Sequence, residues 1–163
     1  MAFMHRRKLL KRLDIHKIRE AIQAAEKKTS GEIRVSIALF FYGKIRPVAE
    51  KTFRRLGMTR TKHRNGILFF IVPSRRSFVV LGDEGIHAKV GQEFWDRIAS
   101  AMSERFRRGE FTEGLIKGIE EAGEHLAAHF PYDPQTDVNE LPDEVDLVGK
   151  RKKLIRKKKK QDN

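Results

Sequence analysis

Arg64-Asn65-Gly66-Ile67-Leu68-Phe69-Phe70-Ile71-Val72-Pro73 and, after a basic turn, Phe78-Val79-Val80-Leu81-Gly82-Asp83-Glu84-Gly85-Ile86 form the stretch on which the fold turns. The apolar run 66–72 has no alternation. It reads as a strand buried on both faces, as in a sheet with helices on each side. Pro73-Ser74-Arg75-Arg76-Ser77 is a short turn that should return strand 78–81 antiparallel to its predecessor. That second strand breaks at a glycine and ends in two adjacent carboxylates, at the kind of strand end where an α/β domain usually keeps its chemistry.

Upstream, Leu13, Ile15, Ile18 and Ile22 follow helical spacing, with Asp14 near the start and Thr29-Ser30-Gly31 as a stop. The pattern predicts a helix over roughly 14–28. Residues 32–39 alternate cleanly, with Ile33, Val35, Ile37 and Leu39 on one face, and read as a strand. Arg46 to Leu56 reads as a second helix, with Pro47 in its first turn, where a missing N–H is harmless, and Gly57 as its stop. Val48, Thr52 or Phe53, and Leu56 should face the sheet. Strand, helix, strand is a crossover unit, so the first two strands should be parallel.

Downstream, Phe94, Ile98, Met102 and Phe106 recur every four residues and predict a helix over about 91–108. Phe111, Leu115, Ile119, Ala122 and Leu126 mark another, reaching about His129. Gly114, Gly118 and Gly123 lie within it. Each costs about 1 kcal/mol relative to alanine, so together they point to close helix packing. The residues alone read as α/β: a small mixed sheet, a parallel crossover plus an antiparallel hairpin, flanked by four helices.

The 163 residues suit one domain, long enough to bury a core without disulfides or metals. The expected organisation is a basic arm over 1–12, the α/β domain over 13–131, an acidic extended segment over 132–149 that docks through Leu141 and Val145, and a disordered basic tail over 150–163. There is no cysteine, which removes thiol nucleophiles and thiolate metal sites. No apolar run approaches the 18 or so residues of a membrane span, and residues 1–12 lack the apolar centre of a signal peptide. The expected compartment is the cytoplasm.

The net charge of +13 is distributed unevenly. Fourteen of the 35 basic residues lie in the two arms, and residues 13–149 hold 21 of each sign. Lys150, Arg151, Lys152, Lys153, Arg156, Lys157, Lys158, Lys159 and Lys160 would attract a polyanion, whether nucleic acid or anionic lipid, with strong salt dependence. With no aromatic residue among them, base stacking is not expected.

Three motifs in order carry a family resemblance. Thr29-Ser30-Gly31-Glu32-Ile33-Arg34-Val35 resembles the small-Gly-x-hydrophobic-x-Val entry of the TPM domain, a family named for a thylakoid lumen protein, a photosystem II-associated protein and a nematode receptor modulator. Arg64-Asn65-Gly66-Ile67-Leu68 is similar to its Asn-Gly-Val-Leu strand entry. Phe106 to Leu115 is similar to its Phe-x-x-Gly-x-aromatic-x-x-Gly-hydrophobic signature. The resemblance covers about residues 14–130. It implies that the sheet and helices form a three-layer α/β/α sandwich, and it implies divalent-cation binding, mainly of calcium, by loops at the strand ends. For some members it implies acid phosphatase activity. Many relatives carry Gly-aromatic-Gly-Leu-Glu-Gly where this chain has Gly82-Asp83-Glu84-Gly85-Ile86, so its ligands are expected to differ. Asp83-Glu84 with Asn139-Glu140-Leu141-Pro142 downstream looks like a cytoplasmic subgroup.

If the strands run as expected, Glu32, Asn65, Asp83 and Glu84 share one end of the sheet. These four are the candidate ligands for calcium or magnesium, at a dissociation constant on the order of 10⁻⁴ to 10⁻³ M for so few oxygens. The alternative for the same residues is structural: Glu32 paired with an arginine, Asn65 capping a turn, Asp83-Glu84 capping a short helix. Asp96 is expected as an exposed helix charge and Trp95 as core. No DxD nucleophile, glycine-rich phosphate loop or paired histidine is present, so no catalytic residue is assigned. A slow phosphatase would need metal-activated water at Asp83 and Glu84, with Arg64 or Lys62 on the phosphate and His87 as acid or base. The leading expectation is a cation-binding interaction or regulatory module with an unidentified protein partner. The alternatives are that phosphatase and a polyanion- or membrane-surface-tethered accessory protein.

Overall fold

A computed structural model describes residues 13–134 and 145–148. In chain order the elements are α1 (Ile15–Glu26), β1 (Glu32–Ala38), α2 (Ile45–Arg55), β2 (Gly66–Val72), β3 (Ser77–Gly82), α3 (Glu84–His87), α4 (Gln92–Arg107), α5 (Phe111–His129) and β4 (Asp146–Val148). Single 3₁₀ turns lie at Met58–Arg60 and Pro73–Arg75.

The sheet order is β3-β2-β1-β4. β1 and β2 are parallel, joined through α2, and β3 returns antiparallel to β2. Every residue of β2 is buried, as its unbroken apolar run requires. Alternation then divides the core. Ile67, Phe69 and Ile71 join Ile33, Val35 and Ile37 under α1, α4 and α5, while Leu68, Phe70 and Val72 pack against Ala49 and Phe53 of α2. Each large side chain so buried contributes about 1.5–3 kcal/mol. The result is an α/β/α sandwich with three long helices on one face and one on the other.

Local chemistry sets the helix ends. The Asp14 carboxylate accepts from the Lys17 N–H at 3.1 Å and caps α1. The helix glycines let α5 approach its neighbours. A Cβ on Gly118 would lie 2.5 Å from the Met102 sulfur, and one on Gly123 would lie 2.8 Å from the Ala25 Cβ. On α2 the buried residues are Ala49, Thr52 and Phe53, with Val48 and Leu56 partly packed against the same core.

β4 is a strand that the sequence analysis does not foresee. Three residues in an acidic, proline-containing stretch carry no strand periodicity. They pair parallel to Ser36–Ala38 of β1. Val145 and Leu147 pack on the three-helix side, while Asp146 faces α2. There its carboxylate accepts from Ser36 Oγ at 2.9 Å and from both terminal nitrogens of Arg55 at 3.2 and 2.7 Å. Burial alone would push Asp146 up. The bonds from Arg55 and Ser36, with the charges of Arg55 and Arg34, outweigh it and hold the carboxyl below its usual range. Leu141, the arm over 1–12 and the tail over 150–163 lie outside the described residues.

Candidate functional site

β1 and β2 begin at one end of the sheet and β3 returns to it. Glu32 is in register with Gly66, and the Asp83 N–H donates to the Gly66 carbonyl at 2.9 Å. Glu32, Gly66 and Asp83 thus occupy one row, and the pleat puts them on one face. Met58 covers that row. Its Cε and carbonyl oxygen lie 3.0 and 3.2 Å from where a Gly66 Cβ would be. Glu32 and Asp83 are therefore two strand spacings apart, about 10 Å between backbones, with Met58 over the gap.

Asn65 is turned elsewhere. Its N–H donates to Thr61 Oγ1 at 3.2 Å and its Nδ2 donates to Ser30 Oγ at 3.4 Å, on the α1–β1 loop. The four candidate ligands share an end of the sheet, as the sequence implies, but their side chains do not converge. Among the described residues no three His, Asp or Glu side chains are arranged to hold a metal.

The partner of Asp83 is Arg64. Its Nε donates to Oδ2 at 2.6 Å and its Nη2 to Oδ1 at 2.8 Å, a two-pronged grip on a side chain only 5% exposed. The third nitrogen, Nη1, lies 3.2 Å from Oε1 of Glu84, whose side chain is 73% exposed. The bond to Asp83 raises the Arg64 guanidinium above its ordinary value against the opposing effect of burial, and the Asp83 and Glu84 charges add to the rise. Asp83 Oδ1 also accepts from the Glu84 N–H at 2.8 Å and caps α3.

The flanking glycines are forced by contact. A Cβ on Gly82 would lie 2.3 Å from the Trp95 ring, and one on Gly85 would lie 2.2 Å from the His63 carbonyl oxygen and 2.6 Å from that of Arg64. Gly82-Asp83-Glu84-Gly85 is thus a clamp that ties the end of β3 to the start of β2. His87 is exposed, with its ring 5.0 Å from that of half-buried Trp95. Asp96 is exposed and accepts from Gln92 Nε2 at 3.0 Å.

Two clefts flank the end of β3 and share Arg46, Leu81, Gly82 and His87. One, of about 310 Å³, is walled by Trp95, Asp96 and Ala99 of α4 with Phe78 and Val80. The other, of about 380 Å³, is walled by Glu50, Phe53 and Arg54 of α2 with Thr59. Neither this trough nor the Arg64 grip is foreseen from the sequence. Arg64 lies 19 positions from Asp83, so neither feature leaves a local signal.

The sequence profile of the TPM domain matches residues 4–125. Among solved structures, the solution NMR structure of the BA42 protein from the psychrophilic bacterium Bizionia argentinensis is 38% identical. The match covers 83% of this chain and 94% of that one, with a TM-score of 0.77. The N-terminal domain of a P. gingivalis protein (20% identity, 70% and 75% covered, TM-score 0.56) and that of a Corynebacterium glutamicum protein (13%, 80% and 75%, 0.52) share the fold. No curated protein matches the chain.

Proposed function

The chain belongs to the TPM domain family, and on that premise we propose that it is a protein-interaction module whose working surface is the clamp end of the sheet and the open edge of β3. The observation that carries this reading is β3 itself. It is an edge strand of six uncharged residues, Ser77–Gly82, and it lies beside two clefts. Sheet edges of this kind are usually blunted by charge, proline or a bulge. Among the described residues no helix is long and apolar enough to cross a membrane.

A divalent cation is the cofactor implied by the family resemblance. The arrangement here fits one only in part: both Asp83 oxygens lie on Arg64 and Glu32 stands across Gly66 from Asp83, while Asn65 donates to Ser30 through Nδ2 and its buried Oδ1, the atom that would meet a cation, has no hydrogen-bond partner among the described residues. Calcium or magnesium at this turn would have to displace the guanidinium. The phosphatase alternative needs the same displacement before water could be activated at Asp83 and Glu84.

The test sets binding against turnover. The purified protein is assayed on p-nitrophenyl phosphate with calcium, with magnesium and with chelator, beside Asp83→Asn. The reading expects a background rate throughout. Turnover that chelator and Asp83→Asn both abolish would make the protein an enzyme and defeat the module reading.

A further inference from the structure

β3 is half-buried along its whole length although its outer side has no partner strand. The Asp83–Gly66 bond sets the phase of the ladder, so Leu81, Val79 and Ser77 point their backbone groups at β2. Phe78, Val80 and Gly82 then present theirs outward. The edge lies between α2 and α4, and its two walls differ. The α4 wall sets Trp95 and Ala99 beside Phe78 and Val80, with Gln92 and Asp96 on the same wall. The α2 wall carries Arg46 and Arg54. Arg46 has Glu50 at 3.8 Å, whereas Arg54 has no carboxylate partner among the described residues.

The opposite edge shows what this sheet accepts. There β4 adds to β1 with Val145 and Leu147 turned to the three-helix layer and Asp146 turned to α2, where Arg55 grips it. The added strand sets one carboxylate, Asp146, on an arginine of α2 with aliphatic Val148 beside it, and turns Val145 and Leu147 to the other side. The β3 edge repeats this chemistry with the neighbouring arginine of the same helix. A second copy fits it less well, because two recessed edges would bring α2 and α4 of both copies into one space.

We propose that the outer edge of β3 takes an extended peptide of a partner protein, with a carboxylate on its α2 side and aliphatic side chains on its α4 side, as a fifth strand. Backbone groups of Phe78, Val80 and Gly82 supply the ladder, the α4 wall takes the aliphatic side chains, and Arg54 takes a carboxylate. This rests on the interaction-module reading and names its ligand class.

The probe is a synthetic peptide of residues 143–149, Asp-Glu-Val-Asp-Leu-Val-Gly, titrated into the full-length protein and followed by backbone amide chemical shifts. Shifts should appear at 77–82 and in the α4 wall. Arg54→Glu, or a peptide with its acids changed to amides, should weaken binding roughly tenfold, on the scale of a close charge pair. Val80→Pro removes an outward N–H while sparing the β2 ladder, and should abolish binding. If that variant melts early, exposed Arg54 still carries the test. Shifts confined to 36–38 and 145–148 would mean exchange at the β4 edge and would overturn the proposal. So would no response up to about 1 mM peptide, or self-association through β3 in its absence. A peptide failure without phosphatase turnover rejects this ligand and leaves the module reading standing, whereas turnover rejects the module reading itself.

Discussion

Gly85→Ala tests whether the acidic turn is a clamp, because the cost can be worked from contacts. The new Cβ would sit 2.2 Å from the His63 carbonyl oxygen and 2.6 Å from the Arg64 carbonyl oxygen. Both are backbone atoms, so no side chain can swing aside. Relief requires α3 to move about 1 Å from the 63–64 loop, an overpacking strain of about 1–3 kcal/mol. That movement also stretches the Gly85 N–H bond to the Arg64 carbonyl, now 2.9 Å, a further 0.5–1.5 kcal/mol or so. Alanine returns up to about 1 kcal/mol through helix propensity. The net loss should be about 2–3 kcal/mol, or roughly 5–10 °C in Tm for a chain of this size. Urea midpoints and calorimetry measure it. Gly91→Ala is the contrast, since a Cβ there meets nothing within 4 Å. Its cost should be limited to that of alanine at an N-cap. A change below about 0.5 kcal/mol for Gly85→Ala would show that the loop yields freely, and the clamp argument would fail.

Asp146→Asn should remove an acid-sensitive part of stability. The native carboxyl is held below its usual range, so its contribution is complete above about pH 5, where the unfolded side chain is ionised, and fades as pH falls through the unfolded and then the native value. Urea midpoints of wild type and variant should therefore converge on acidification, and a constant gap would count against the Arg55 grip. Arg64→Ala should strengthen calcium binding at residues 82–86 relative to wild type, read by chemical-shift titration, because it frees both Asp83 oxygens. Weaker binding in the variant would mean that the cation and Arg64 do not compete. Removing residues 150–163 should lower affinity for RNA and for anionic vesicles and flatten its salt dependence, compared at two salt concentrations. Equal slopes for full and trimmed chains would locate the polyanion site within residues 1–149.

The fold was largely legible, for a physical reason. The β2 run, the period-two pattern of β1 and the four-residue recurrence in α4 are local consequences of where each side chain must go, so strands and helices fall within a residue or two of expectation. The parallel pairing follows from the crossover, and the hairpin from a short turn. β4 was not legible. Its three residues hold their place through Ser36 and Arg55, which are 110 and 91 positions away, and no pattern within a short segment reports a partner at that distance.

The candidate site was half legible, and its missing half is a question of sides. The chain order alone carries Glu32, Asn65, Asp83 and Glu84 to one end of the sheet. Whether they meet depends on the phase of the pleat and on what lies between them. Asn65 immediately precedes Gly66, and that single step along the chain sends Asn65 to Ser30 while Glu32 and Asp83 stay in the Met58 row. The left-handed backbone at Arg64 (φ 50°) accompanies a fork whose bonds run straight onto Asp83. Two carboxylates beside a glycine look like an incomplete cation site in a sequence. In the structure a guanidinium is already fixed on one of them, and under the proposed reading the turn anchors the strand whose open edge takes the ligand.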